Sequence, residues 1–241
     1  MTDLVSYNTS VSRVRPENRL VDLLRCAAEV FISSQGYART QMGDIAARAG
    51  ISKGAVYLCV ESKAALFDLA LRYADNPQSF EPPPVLPVPT PAEGATSRYV
   101  SERLTTQPDL LELISVLANK RVTNARAELE EVIRRLYRLL NANRWAIKLV
   151  DVSAIDHPEL AGLWHEAGRG GITSLLEPFI VHRIQNGHYA KVPDITISAR
   201  YILETCVLWA VHMHWDPHPE PHNQEEVENT LVHLLSRSLL A

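Results

Sequence analysis

Residues 51 to 66 read ISKGAVYLCVESKAAL, and their polar side chains favour one kind of chemistry. Ser52, Lys53, Gly54 and Tyr57 form a polar edge on a short, otherwise apolar segment, and Ser62 and Lys63 repeat the serine-lysine pair. Hydroxyls, ammonium groups and the free amides of a helix N-terminus are hydrogen-bond donors. The ligand that suits them all is an anionic oxygen, above all a phosphate. Catalysis finds little support. The chain has no Ser-His-Asp order, P-loop, Rossmann glycine pattern or HExxH, and Glu130-Glu131 and Glu225-Glu226 fit solvated helix faces.

Donors at helix starts are positioned by the helices themselves. Leu20, Leu23, Leu24, Ala27 and Phe31 have the spacing of one helix face, with Pro16 in the first turn and Gly36 past the end. Two very short helices come next, over 41 to 49 and 52 to 59, joined by Gly50 and Ile51; Ser62 opens a fourth through Leu66, Leu69, Ala70 and Tyr73. Two short helices across a tight glycine turn are the helix-turn-helix layout, whose second helix fits a DNA major groove. There Lys53 would add charge, Gly54 would let the backbone come close, Ala55 would meet a thymine methyl and Tyr57 would reach a phosphate. Lys63 and Thr40 would clamp further phosphates from the starts of the fourth and second helices. With Ser52 and Leu58, these residues make up the expected DNA-binding set.

Residues 77 to 91, PQSFEPPPVLPVPTP, hold seven of the fifteen prolines, which predicts a stiff, mostly extended surface connection. Helix signals then resume at Thr90, Pro91 and Glu93. Further helices are expected near 108 to 119, 124 to 140 and 143 to 153, then from an Asp156-to-Glu159 capping box to Gly187, over about 195 to 214, and from Asn223 with Glu226. In the long one, Gly162, Gly168, Gly170 and Gly171 would allow either close helix approach or a kink. No alternating strand pattern and no internal repeat appears. The expected divisions are an N-terminal arm over 1–15, in which Arg13 and Arg15 could reach a minor groove, a helix-turn-helix domain over 16–75, a linker over 76–91 and a helical body over 92–241.

The stretch LLRCAAEVFISSQGYARTQMGDIAARAGISKGAVYLCVESKAALFDLAL resembles the DNA-binding domain of the TetR/AcrR family of bacterial transcriptional regulators. It carries A-A-x-x-F, G-Y-x-x-T, D-I-A-x-x-A-G, S-K-G-x-x-Y and S-K-x-x-L in the family's order and spacing. The resemblance implies an all-α protein: a three-helix helix-turn-helix domain plus a larger helical body that binds an effector and pairs with a second copy through its last helices. One departure stands out. After Tyr57 the family has an aromatic or polar pair and then Phe, whereas this chain has Leu58, Cys59 and Val60, which implies fewer phosphate contacts and a shallower salt dependence.

In that body, the aromatic residues Tyr137, Trp145 and Trp164, with His165, are candidates to line an effector cavity. Phe179, Arg183, Leu203 and Trp209 are candidates for the dimer interface. His212, His214, His218 and His222 beside Asp216 suggest a metal, but residues two apart on a helix point about 200° apart and three prolines stiffen the adjoining segment, so no metal site is expected.

Composition sets the outer bounds. The net charge is −4: residues 1 to 75 hold nine basic against eight acidic side chains, and residues 76 to 241 hold fifteen against twenty. Any basic footprint must therefore come from local placement. Cys26, Cys59 and Cys206 lie in no paired spacing, which suits reduced, buried thiols. The least charged stretch, around Thr205 to Trp215, is far shorter than the roughly 18 to 20 residues that span a bilayer. The sequence thus predicts a cytoplasmic, homodimeric, non-enzymatic regulator without a cofactor, acting on a double-stranded DNA operator and released by a small-molecule effector of unknown identity. The competing class is a helical ligand-binding or scaffold protein whose helix-turn-helix has degenerated.

Overall fold

The computed structural model describes residues 16–219 and 221–240, and it is helical throughout, with one isolated β-bridge. The N-terminal arm with Arg13 and Arg15 lies outside the described residues. Helix α1 (Pro16–Ser33) buries Leu20, Leu23, Leu24, Ala27 and Phe31, the face marked by their spacing. After it come α2 (Met42–Arg48), α3 (Lys53–Tyr57) and α4 (Lys63–Asp75). Ser52 and Ser62 cap α3 and α4 by accepting from the amides of Ala55 and Ala65, both at 3.1 Å. Gly50 turns between α2 and α3 with φ at 66°, a left-handed conformation that suits glycine.

The body comprises α5 (Ala95–Thr106), α6 (Pro108–Ala118), α7 (Ala125–Ala142), α8 (Arg144–Ser153), α9 (Pro158–Gly162), α10 (Gly171–Gln185), α11 (Ile195–Ala210) and α12 (Gln224–Leu239). Leu163–Gly170 is a π-helical segment between α9 and α10, which makes 158 to 185 one long helical run. Gly170 contributes to it. A Cβ on Gly170 would crowd the His165 carbonyl oxygen, five residues back, at 3.0 Å, whereas at Gly168 and Gly171 the distances of 3.4 and 3.9 Å are ordinary contacts, so the bareness of Gly170 in particular eases the wider turn. The choice between close approach and a kink is thereby resolved in favour of a local change of helix type. Asn223 and Glu226 form the capping box that opens α12.

Three local expectations are corrected. Helix α5 starts at Ala95 behind Gly94 rather than at Thr90, because Thr90 is held elsewhere. The cap of α9 is His157, not Asp156, whose carboxylate instead accepts the Ala38 amide at 3.0 Å. The regular part of α11 stops at Ala210, and His212–Trp215 form a 3-10 turn.

Two apolar cores hold the molecule together, at about 25 cal/mol per Å² of buried apolar surface. The first joins α1 to α4 with Leu149, Val150, Ala154, Leu160 and Trp164, so the body supplies part of the head's core. The second lies among α6, α7, α10, α11 and α12. Gly36, at φ 111°, sits where head meets body: a Cβ there would stand 2.3 Å from the Val152 carbonyl oxygen. His157 completes the joint by packing against the rings of Tyr37 and Phe67 at 4.6 and 5.8 Å. The three cysteines are free thiols, and burial pushes that of Cys206 up to about 12, so it behaves as a small hydrophobe.

Candidate nucleic-acid interface and cavity

Helix α3 is anchored by Val56, which is fully buried, and offers the opposite edge to solvent. Ser52, Lys53, Gly54, Tyr57 and Leu58 are exposed there, Leu58 to 73%, and Ala55 is half-buried. A Cβ on Gly54 would meet only the Ser52 hydroxyl, at 3.8 Å, so nothing inside the protein requires glycine at this point. Lys53 has no acidic partner among the described residues, whereas Arg48 is paired with Glu29.

Two members of the expected set turn inward. Thr40 is 1% exposed and its hydroxyl donates to the Gly36 carbonyl at 2.9 Å, while the cap of α2 is Gln41, in a capping box with Asp44. The Thr40 side chain therefore presents no donor to a phosphate. Lys63 donates to the carbonyls of Tyr37 at 2.9 Å and Thr40 at 3.1 Å and lies 4.3 Å from the Tyr37 ring centroid. That ammonium ties the start of α4 to the loop after α1.

The Leu58-Cys59-Val60 departure has a structural partner that the sequence did not suggest. Val60 is buried, and the proline-rich segment folds back along it: the Val88 amide donates to the Cys59 carbonyl at 2.8 Å, and the Glu61 amide donates to the Val88 carbonyl at 2.9 Å. Thr90 continues the strap, its amide donating to the Glu61 carboxylate and its hydroxyl to the Ser62 hydroxyl, both at 2.9 Å.

Behind α4 lies a cavity of about 420 Å³, walled by Leu71, Leu104, Ile114, Ile147, Leu175 and Val207 among others. Three of its polar residues, Asp75, Tyr99 and Arg103, meet at the end of α4. Asp75 accepts from the Tyr99 hydroxyl and stands against the Arg103 Nε, each at 2.6 Å and on the same oxygen. Burial, then the hydrogen bond to Asp75, raises the Tyr99 phenol well above its ordinary value, so it stays a donor. Of the expected cavity residues only Trp164 lines it. Tyr137 is buried in the second core, Trp145 packs edge-on against Trp215 at 5.1 Å, and His165 is exposed outside the lining. Asp75, Tyr99 and Arg103 were missed because no periodicity marks which faces of two separate helices will converge.

The expected dimer residues are also relocated. Phe179 and Leu203 are buried in the protomer. Arg183, 1% exposed, donates to both Glu128 oxygens, at 2.8 and 2.7 Å, and to the Asn119 carbonyl at 2.5 Å. Trp209 is partly buried against the second core and beside His222. The apolar side chains left in solvent on these helices are Ile197, Tyr201 and Leu208 of α11 and Leu234 of α12. The histidines have other partners: His212 faces Lys148 and Asp151, and His214 contacts Asn141.

An exposed short helix set on a buried valine across a glycine turn, backed by a helical body with an apolar cavity, is a two-part helix-turn-helix architecture. Residues 23–70 match the model of the bacterial regulatory proteins of the tetR family. By this match residues 23–70 are a DNA-binding domain of the TetR type. The chain's fold is shared with solved structures of low identity: the ketosteroid transcriptional regulator of Mycobacterium tuberculosis (15% identical, 92% of this chain and 95% of that one, TM-score 0.58) and a tetR-family regulatory protein from Rhodococcus RHA1 (18%, 92% and 98%, 0.54). A TetR-family member from Streptomyces coelicolor A3 is 23% identical over 89% of this chain and 87% of that one, with a TM-score of 0.51. No curated protein matches in sequence. No helix among the described residues is long and apolar enough to cross a membrane.

Proposed function

We propose that this protein is a homodimeric, cytoplasmic, one-component repressor, released from a pseudo-palindromic operator when a small molecule occupies the cavity. The single observation that carries this reading is the placement of α4. Its 13 residues, about 20 Å of helix, follow α3 after the short segment 58–62 and end at Asp75 in the cavity wall, so one element runs from the helix-turn-helix head to the cavity. The DNA contacts come from Lys53, Gly54, Ala55, Tyr57 and Leu58, with Ser52 holding the helix start. Residues 16–75 act as the DNA-binding domain, 76–91 as its strap and 92–241 as the effector and dimerisation body.

Pairing through Ile197, Tyr201, Leu208 and Leu234 suits a two-fold dimer, because it would cover exposed apolar surface on adjacent helices. The two α3 helices would then enter successive major grooves about 34 to 36 Å apart. An effector that favours another spacing releases the operator with a coupling of about 1 to 3 kcal/mol. The protein needs no cofactor and performs no catalysis in this role.

The test is binding of the purified protein to DNA from upstream of its own gene at two salt concentrations. Salt-sensitive binding that Lys53→Ala with Tyr57→Phe weakens, at unchanged dimerisation, is the expected result. No binding at either salt, or binding indifferent to the double substitution, would favour a helical ligand-binding or scaffold protein instead.

A further inference from the structure

The cavity wall cancels its own charges. Among the described residues it holds three charged side chains, Asp75, Arg103 and Arg169, and each has a counter-charge within the protein. Arg103 stands against Asp75 at 2.6 Å, and Arg169 grips both oxygens of Glu204, one of them through its Nε at 3.1 Å. Arg200 holds the same carboxylate at 2.9 Å without entering the lining. The first pair joins α4 to α5 and the second joins the π-helical segment to α11. A charged ligand would therefore have to break a pair between packed helices before it could use either arginine.

The uncharged polar groups are largely committed as well. The Tyr99 hydroxyl donates to Asp75, Gln107 accepts from the Leu110 amide at 2.7 Å and donates to Asp109 at 3.2 Å, and the Asn143 side-chain amide donates to the Leu139 carbonyl at 2.8 Å. The Trp164 indole N–H and the Arg103 Nε–H lack a partner but are themselves buried, so neither is open to a ligand. The rest of the wall is aliphatic and aromatic. An ion of either sign would shed its water there without gaining a counter-charge, whereas an uncharged skeleton simply buries apolar surface. At about 30 Å³ per water, the volume corresponds to roughly fourteen waters, room for a ligand of that order of non-hydrogen atoms.

We infer that the cavity selects an uncharged apolar molecule of that size, and that Asp75 and Glu204 set the selectivity by cancelling the two arginines of the wall. This rests on the reading of the cavity as the effector site and names the effector's chemical class.

The test uses full-length protein without DNA, so that it stands or falls apart from operator binding. Calorimetric titration with decan-1-ol, decanoate and decylammonium, below their aggregation limits, places a neutral, a negative and a positive head on one tail. Decan-1-ol is expected to bind at least about tenfold more tightly than either ion. Asp75→Asn strips Arg103 of its counter-charge and should shift the ratio of decanoate to decan-1-ol affinity several-fold towards the ion, a gain that misfolding would not produce. Adding Arg103→Gln should cancel that gain. Glu204→Gln does the same to Arg169 and gives a second reading from the other side of the wall. Binding of either ion by the unaltered protein as tightly as decan-1-ol, or no binding of decan-1-ol, overturns the inference. So does an unchanged ratio in either single variant that still takes up decan-1-ol. Decan-1-ol binding that leaves the DNA complex intact would instead count against release by effector and leave the ligand class standing.

Discussion

Val88 of the proline-rich strap is hydrogen-bonded on both sides of Val60, the residue that closes the segment after the recognition helix. The strap therefore bears on the DNA-binding head as well as linking it to the body. Val88→Pro removes the donor to the Cys59 carbonyl and should cost about 1 to 3 kcal/mol. For a chain of this size each kcal/mol lowers Tm by about 2 to 4 °C, readable by calorimetry. Val88→Ala keeps the N–H and should cost less.

The two lysines of the serine-lysine pairs should separate cleanly. Lys53→Ala is expected to weaken operator binding and lower the slope of log K against log salt by about one unit. Lys63→Met, which cuts the bonds to Tyr37 and Thr40, should lower stability by about 1.5 to 3 kcal/mol while the salt slope holds.

Leu58 stands in solvent at the end of α3, where a polar side chain would add a contact. Leu58→Arg should tighten operator binding and steepen the salt slope by about one unit in the same titration. An unchanged slope would mean that this end of the helix does not reach the backbone.

Interior and interface give different signatures in the body. Glu128→Gln leaves Arg183 buried without its counter-charge and should cost about 3 to 5 kcal/mol in denaturant unfolding. Tyr201→Glu with Leu208→Glu should leave the protomer helical by circular dichroism but yield monomers in sedimentation. A stable dimer in the second case would move the interface away from α11.

Acid should destabilise the fold through two histidines. Burial, with Lys148 next, lowers the His212 pKa below 6.5, and burial with Arg144 does the same for His214. A histidine lowered on folding binds its proton more readily in the unfolded chain. Its stabilising contribution is therefore complete above pH 6.5 and is lost as pH falls through the folded-state values. Unfolding midpoints measured from pH 7.5 down to 5 should decline, and less so in His212→Gln with His214→Gln.

Much of the fold could be read in the sequence because it is written locally. The face of α1, the caps Ser52, Ser62 and Asn223, and the turn at Gly50 depend on residues within a few positions of one another. The same locality made α3 legible as an exposed polar edge on a buried valine. Thr40 and Lys63 escaped that logic, since only the docking of α4 against the loop after α1 turns them inward.

The order of the main helices and the exposed polar edge of α3 were set by short-range spacing, and the sequence alone determined them. Only the tertiary structure decided which side chains share a site. Asp75, Tyr99, Arg103 and Trp164 come from three separate helical segments, and their convergence results from how the helices pack rather than from any pattern along the chain. The same holds for Arg183 and Leu203, which read as candidate surface residues and lie in the interior because neighbouring helices cover them. Periodicity tells a helix which face is apolar; it does not tell that face whether a core, a cavity or a second subunit will cover it.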